Sequence, residues 1–192
     1  GGSFSAAGSG AYGSPEYSGV SGSSEMSMES TLATINDPET QKAVREFCEE
    51  YEGSGHLSKD FRGSEYVRFT GSARCMVNNE VLPDFAKLAI AYYKKTGKPI
   101  TITSAYRDIG HQKRLQSGPH PAAKPGNSNH NTGHAIDFGQ DVVTGFSGFG
   151  ALARACNFSG ISSENWHFDH NSKKPAGQTR MAYAQKINSS VA

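Results

Sequence analysis

Apolar positions recur with helical spacing in the stretch NDPETQKAVREFCEEYEG, residues 36–53. Residues at i, i+3, i+4 and i+7 lie on one face of a helix. Asp37, Pro38 and Gly53 supply in turn an N-cap, a first-turn residue and a C-cap. The stretch therefore predicts one amphipathic helix, whose apolar face consists of Val44, Phe47, Cys48 and Tyr51.

A second helical pattern occupies LPDFAKLAIAYYKKTGKP, residues 82–99. Gly97 favours the left-handed conformation that ends many helices, and Pro99 cannot continue one. We expect this helix to have one buried side, formed by Phe85, Leu88, Ala89 and Tyr92.

The remaining pattern alternates short strands with short helices. A strand is predicted to end at Arg107, a helix to start at Asp108, and a Pro/Gly-rich loop to follow. This mixture favours an α+β fold, with a small, largely antiparallel sheet flanked by helices. In the order strand, helix, strand, helix, strand, the segments are PITITSAYR, DIGHQKRLQSG, GHAIDFG, GFGALARACNFSG and ISSENWHFDH.

Composition divides the 192-residue chain into two parts. Residues 1–30 are dominated by Gly and Ser, which cannot bury enough apolar surface to offset the ordering entropy, so we expect a tail or linker. Residues 31–192 suffice for one domain with a hydrophobic core. No internal repeat is apparent.

Charge and hydropathy exclude several partner classes. A net charge of +1 lacks the excess of positive charge that is typical of nucleic-acid-binding proteins. No apolar run approaches the roughly 20 residues that a membrane span needs. No basic segment precedes an apolar one at the start, so no signal peptide is visible in this chain.

The cysteines do not suggest a thiolate metal site. Cys48, Cys75 and Cys156 form no CxxC pair. Buried or free thiols are the simplest interpretation. A disulfide would be possible in an oxidising compartment, but the sequence does not select the pair.

Candidate chemistry begins in the stretch NSNHNTGHAIDFG, residues 127–139. His130 precedes the predicted strand and Asp137 lies within it, with Gly133 allowing a sharp turn between them. Imidazole and carboxylate are good ligands for Zn²⁺, and a catalytic zinc keeps three protein ligands and one open position. ENWH, residues 164–167, offers another histidine and a carboxylate. Because strand side chains alternate faces, Glu164 and His167 would share a face only with a strand start or bulge between them.

These motifs resemble those of the LAS-type zinc peptidases. SNHNTGHAID is similar to the family pattern SxHxxGxAxD, and ENWH to ExWH. TITSAYRDIGHQKRL also resembles the family's strand-plus-helix segment. The resemblance covers roughly residues 75–170, which we take as the core of the domain. The group includes D-Ala-D-Ala carboxypeptidases and dipeptidases of the vancomycin-resistance type, and L-Ala-D-Glu endopeptidases of phages and bacteria.

The resemblance implies one Zn²⁺ at the sheet face and a role for each matching residue. Glu164 would be the general base that takes a proton from the attacking water and passes it to the leaving amine. Arg107 would stabilise the oxyanion. The implied zinc ligands are His130, Asp137 and His167, and the implied substrate-binding residues are Ser128, Gln112, Tyr106 and Trp166.

Some of these residues also have a simpler, structural interpretation. Ser128 could only form a turn, and Gln112 could lie on a helix surface. Trp166 suits a pocket wall or the core better than catalysis. The family pattern leaves position 134 free, so we expect His134 not to be a ligand.

Other polar residues have weaker assignments. His170 could support a ligand from outside the metal shell, and Asp169 could orient a ligand imidazole. His111 and His120 are expected to be solvated.

The expected function is hydrolysis of peptidoglycan stem peptides, first as a D-Ala-D-Ala carboxypeptidase. An L-Ala-D-Glu or cross-bridge endopeptidase, lytic and phage-like, is the nearest alternative. A zinc-containing cell-wall binding module without turnover is the alternative of a different class. Each of these places the protein in the cell envelope, outside the cell or in a phage particle.

Overall fold

Helices alternate with short strands through the part of the chain that the computed structural model describes, residues 27–119, 122–124 and 126–191. The helices are α1 Met28–Asn36, α2 Pro38–Tyr51, α3 Leu82–Thr96, α4 Ile109–Gln116, α5 Gln140–Val143, α6 Phe149–Ala155 and α7 Gly177–Val191. The strands are β1 Val67–Phe69, β2 Ile100–Ser104, β3 Ala135–Phe138, β4 Phe158–Ile161 and β5 Glu164–His170, and a 3-10 helix spans Asn129–Thr132.

The strands form one mixed sheet in the order β1-β2-β3-β5-β4. β1 runs parallel to β2, and the other neighbours are antiparallel. The fold is α+β as expected, but the expectation of a largely antiparallel sheet is corrected to a mixed one. The difference comes from β1, a three-residue strand that the sequence did not predict. Because parallel neighbours need a crossover connection, α3 lies between β1 and β2 in the chain.

The two long predicted helices begin and end close to their expected signals. Asp37 caps α2 by accepting a hydrogen bond from the Thr40 amide at 3.3 Å, although the C-cap is Glu52 rather than Gly53. Gly97 ends α3 with a φ of 72°. Across the described ranges, no helix has both the length and the apolar character to cross a membrane.

The hydrophobic core lies on one face of the sheet, under α2, α3 and α6. Ile136 of β3 and Phe168 of β5 pair across the sheet and belong to this core. Since successive strand residues point to opposite faces, the neighbouring pair Asp137 and His167 lies on the other face. The core and the candidate site therefore lie on opposite faces of the same two strands.

Both ends of the described chain contain helices that the sequence did not predict. Residues 1–26 of the expected tail lie outside the described residues. α1 begins at Met28, inside the last part of that expected tail, and it buries Thr31 and Ile35. Near the other end, α7 packs beside the 3-10 helix and α4.

Candidate metal centre

Three side chains from three elements converge on the face of the sheet opposite the core. The 3-10 helix supplies His130, β3 supplies Asp137, and β5 supplies His167. Their donor atoms all lie within 4.8 Å of one another. Asp137 Oδ1 is 3.1 Å from His130 Nε2 and 3.0 Å from His167 Nδ1. Two imidazoles and one carboxylate are suited to a divalent metal ion, and we call these three side chains the metal group.

A tight turn brings His130 over the strand. Ser128 caps the 3-10 helix, its hydroxyl accepting a hydrogen bond from the His130 amide at 3.2 Å. Gly133 ends the helix with a φ of 78°. A Cβ at this position would lie 2.5 Å from the Asn78 nitrogen, so the close approach of two backbone segments also requires glycine.

The outer nitrogen of each ligand ring already has a hydrogen-bond acceptor. His130 Nδ1 donates to the Ala105 carbonyl at 2.7 Å, and His167 Nε2 donates to Asp169 Oδ1 at 2.7 Å. These bonds leave His130 Nε2 and His167 Nδ1 as the nitrogens that face Asp137. Histidines that bind metals are typically oriented by such bonds from the other nitrogen. The residues present therefore fit a metal ion both in donor type and in ring orientation.

The charged forms of Asp137 and His167 stabilise each other. Burial alone raises the pKa of the Asp137 carboxyl, but hydrogen bonds from His130 and His167 outweigh it and hold that pKa well below its usual value. Burial alone lowers the pKa of His167, but hydrogen bonds to Asp137 and Asp169 raise it to about 9. Asp137 is thus a carboxylate at neutral pH, the form in which it can bind a cation.

Glu164 lies at the edge of the metal group. Its Oε2 is 3.9 Å from His167 Nδ1, and its side chain is 40% exposed. In a regular strand Glu164 would lie on the face opposite His167. The pairing between β4 and β5 shifts register between Gly160 and Ile161, so the strand is irregular at this place. Such an irregularity is needed for Glu164 and His167 to lie on the same face of the sheet, because side chains of a regular strand alternate between faces.

Arg107 approaches the metal group from the segment after β2, since the strand ends at Ser104 and not at Arg107 as expected. Its guanidinium donates to Gln112 Oε1 at 3.0 Å and to Ser104 Oγ at 3.1 Å. It also lies 3.6 Å from Asp137 Oδ2. Burial lowers the pKa of Arg107, against the opposing effect of Asp137 and Glu164. Two fixed acceptors therefore aim a cation at the same cleft as the metal group.

A cleft of about 610 Å³ opens over these residues. Besides the metal group, Glu164 and Arg107, it is lined by Ser128, Gln112 and Trp166. Gln112 is buried and donates to the Ala123 carbonyl at 2.7 Å while it accepts from Arg107, so it supports the arginine. Trp166 is 39% exposed and belongs to the cleft wall.

The structure places Tyr106 away from this cleft. Its side chain is buried in a small cluster with Leu57 and Ile187. It does not line the cleft, and a role in substrate contact has no support in this geometry. Tyr106 immediately precedes Arg107, and the chain leaves β2 at Ser104, so the two neighbours point in different directions.

Among the residues that the structure describes, the other histidines take no part in the metal group. His134 bonds to Glu80 and Thr132, which agrees with its assignment as a non-ligand. His170 bonds to Asp84 at 2.7 Å, so it does not support a metal ligand. His111 is half-buried rather than solvated. His120 lies outside the described residues.

Several cleft residues were missed in the sequence. Arg114 and Leu115 of α4 and Ile161 of β4 also line the cleft. Their only sequence signal is that α4 follows the SAYR motif and that Ile161 precedes ENWH. Asp169 was not missed: the sequence offered it as a residue that could orient a ligand imidazole, and it accepts a hydrogen bond from His167 Nε2. It lies two residues after His167 and therefore on the same strand face.

Comparison with known proteins adds no family assignment. No protein-family model matches this chain, and no curated protein matches it. The donor set accommodates Zn²⁺ well, and it also suits other divalent transition metals.

Proposed function

We propose that this chain is a zinc peptidase that hydrolyses peptidoglycan stem peptides, first as a D-Ala-D-Ala carboxypeptidase. The observation that carries the proposal is that Glu164 and Arg107 line the same cleft as the group His130, Asp137 and His167, with Glu164 beside His167 and Arg107 beside Asp137. A carboxylate base, a fixed cation and a metal group around one cleft match the requirements of amide hydrolysis.

Each residue has a defined part in this chemistry. His130, Asp137 and His167 would hold the ion. A zinc ion held there would supply Lewis acidity, which would make water easier to deprotonate at neutral pH and would activate a carbonyl for attack. Glu164 takes a proton from the attacking water and delivers it to the leaving amine. The guanidinium of Arg107 stabilises the negative charge that develops on the carbonyl oxygen.

The walls of the cleft support a peptide substrate with a free carboxylate. Leu115, Ile161 and Trp166 are 36%, 39% and 39% exposed, and all three line this cleft. Exposed apolar residues grouped around a concave site favour ligand contact. Arg114 lines the same cleft, and a guanidinium is a good partner for a carboxylate. A terminal carboxylate at this wall would suit the exo-acting reaction.

The size of the cleft favours a second candidate of the same chemistry. A volume of about 610 Å³ with walls from α4, β4 and β5 leaves room for chain on both sides of a scissile bond. An L-Ala-D-Glu or cross-bridge endopeptidase would use this room. Either activity would place the protein in the cell envelope, outside the cell or in a phage particle.

The products of hydrolysis distinguish these candidates. Zinc-loaded protein is incubated with stem pentapeptides and with cross-linked muropeptides, and the products are identified by mass. Release of one alanine from the pentapeptide supports the carboxypeptidase. A cut within the stem or at the cross-link supports the endopeptidase. No product from either substrate, with zinc bound, would overturn the proposal of a peptidoglycan hydrolase.

The variant Glu164→Gln separates an enzyme from a binding module. We expect it to bind zinc as the wild type does, because Glu164 is not a ligand. Its rate of hydrolysis should fall by at least about 10²-fold, because the general base is gone. Glu49→Gln, at an exposed position of α2, is the matched control and should retain full activity. If Glu164→Gln hydrolyses as fast as the control, Glu164 is not the base. If wild type and variant bind peptidoglycan equally and neither turns over, the binding module is the correct function.

A further inference from the structure

We infer that Arg180 of the C-terminal helix α7 is a positioning residue for the metal ligand His167, acting through Asn129 and Asp169. The inference rests on the metal centre of the proposed function. It assigns to α7, a helix outside every motif in the sequence, a direct part in setting the geometry of that centre.

The first link of the chain is the bond between His167 and Asp169. His167 Nε2 donates to Asp169 Oδ1 at 2.7 Å, which turns Nδ1 towards Asp137. A carboxylate in this position fixes the tautomer and the orientation of the ring and makes the ligand more basic. Asp169 is therefore the residue that selects which nitrogen of His167 is available to a metal.

The second and third links run through Asn129. Its Nδ2 donates to the same Oδ1 of Asp169 at 2.8 Å, and its Oδ1 accepts a hydrogen bond from the Arg180 guanidinium. The amide thus donates at one end and accepts at the other, so the bonds from Arg180 to Asn129 and from Asn129 to Asp169 run in the same direction, and His167 donates to Asp169 from the other side. The cation of Arg180 strengthens the donor end of Asn129, which stabilises Asp169 as a carboxylate.

This chain connects the two elements that carry the histidine ligands. Asn129 belongs to the 3-10 helix and immediately precedes His130, whereas Asp169 follows His167 on β5. Arg180 is half-buried on a helix that packs against the 3-10 helix. By fixing Asn129, it holds the distance between the two ligand segments as well as the orientation of one ring.

A purely structural role for α7 is the competing explanation, and the helix provides its own control. Tyr183 lies one turn after Arg180, and its hydroxyl accepts a hydrogen bond from Asn78 Nδ2 at 3.0 Å. Asn78 also donates to the Thr132 carbonyl, so this bond anchors α7 beside the same 3-10 helix. Tyr183→Phe removes an anchor of α7 without touching the chain to His167.

Zinc affinity of the otherwise intact protein is the primary measurement. Metal-free wild type, Arg180→Ala, Asp169→Asn and Tyr183→Phe are titrated with zinc in competition with a chromophoric chelator. Loss of a residue that orients a metal ligand typically costs about 10- to 100-fold in affinity. We expect a loss in this range for Asp169→Asn, a loss of about 10-fold for Arg180→Ala, and no change for Tyr183→Phe. Arg180→Lys should recover part of the loss, because it retains the cation.

The double variant Asp169→Asn with Arg180→Ala tests whether the residues act in one chain. We expect it to bind zinc about as well as Asp169→Asn alone, because coupled residues give non-additive effects. Additive losses, or equal losses for Arg180→Ala and Tyr183→Phe, would overturn the inference and leave α7 a structural helix. If Arg180→Ala is unfolded by circular dichroism, Arg180→Gln is used, and wild-type affinity in that folded variant would also overturn it.

The outcomes also separate this inference from the proposed function. A wild-type protein that binds no zinc contradicts the metal centre itself. A wild type that binds zinc and hydrolyses stem peptides, with Arg180→Ala unchanged in affinity, contradicts only the role of Arg180.

Discussion

His167 shows at the scale of one residue how the metal group is prepared. Its ring lies between two carboxylates, with Asp137 at Nδ1 and Asp169 at Nε2. The two nitrogens have different tasks, since one faces the other donors and the other holds the ring in place. His130 repeats the arrangement with a backbone carbonyl in place of Asp169. Both rings are therefore oriented before any ion arrives, which reduces the reorganisation that binding requires.

The guanidinium of Arg107, beside the metal group, is expected to stabilise the transition state. Arg107→Lys keeps the charge but loses the forked contacts to Gln112 and Ser104. Since removal of one donor to a developing oxyanion typically costs about 10²–10³ in rate, we expect kcat to fall by about that factor. Zinc affinity should change little, because Arg107 is not a ligand. Steady-state kinetics on a stem peptide that the wild type hydrolyses provides the measurement.

Arg62→Lys is the matched control for that variant. Arg62 also makes a forked contact, to Asp60, but on the protein surface. We expect wild-type kinetics from it. An unchanged kcat in Arg107→Lys would show that the guanidinium does not stabilise the transition state.

At the scale of elements, the site depends on a turn and an irregular strand. The turn after the 3-10 helix places His130 over β3, and the register shift in the hairpin of β4 and β5 places Glu164 beside His167. Without the turn and the register shift, His130 and Glu164 would not lie beside Asp137 and His167. Irregular backbone is often found at functional sites for this reason.

The turn at Gly133 provides a test of this dependence. Gly133→Ala combines an unfavourable φ of 78° with a Cβ only 2.5 Å from the Asn78 nitrogen. Gly97→Ala has a similar φ of 72° with nothing near its Cβ. Strain alone costs about 1–2 kcal/mol, so we expect that loss for Gly97→Ala and at least about 3 kcal/mol for Gly133→Ala. Denaturant unfolding measures both losses. Equal losses would mean that the approach to Asn78 adds nothing.

The sequence predicted the elements whose periodicity or caps are strong and missed those defined by tertiary contacts. α2 and α3 have apolar faces and capping residues of their own. β1 has three residues in a Gly/Ser-punctuated stretch, and its pairing with β2 defines it. α7 lacks a clear apolar face, although Ala184 and Ile187 are fully buried.

The same division holds in the site. The metal group and Glu164 lie in recognisable motifs. Tyr106 also lies in a motif, yet the structure places its side chain in a separate cluster, because adjacent residues need not point the same way. Arg180 could not have been found from the sequence, because its contact with Asn129 spans 51 positions of the chain.

On the scale of the whole molecule, the sheet separates the core from the chemistry. One face packs under helices and buries aromatic rings, whereas the other carries the charged groups. A rigid core behind β3 and β5 can hold the metal group in place because close-packed interiors resist deformation. The thiols belong mainly to the core side, and all of the cysteines are free.

The burial of each thiol determines whether it reacts in the folded protein. Cys75 and Cys156 are buried, and burial raises the pKa of both, that of Cys156 to about 12. Since the thiolate is the reactive form, we expect neither to be modified in the native protein. Cys48 is only half-buried and should react first. Labelling with a thiol reagent before and after denaturation, followed by peptide mass mapping, provides the measurement. Modification of Cys75 or Cys156 in folded protein would contradict the packing described.

A calorimetric zinc titration decides whether His130, Asp137 and His167 form one metal site. Metal-free wild type and Asp137→Ala are titrated under the same conditions, after circular dichroism has shown that both are folded. We predict one zinc ion per chain for the wild type and loss of that binding in Asp137→Ala, because the ligand shared by both histidines is gone. Absence of saturable binding in the wild type, or the same affinity and stoichiometry in both proteins, would show that these three residues do not form a metal site.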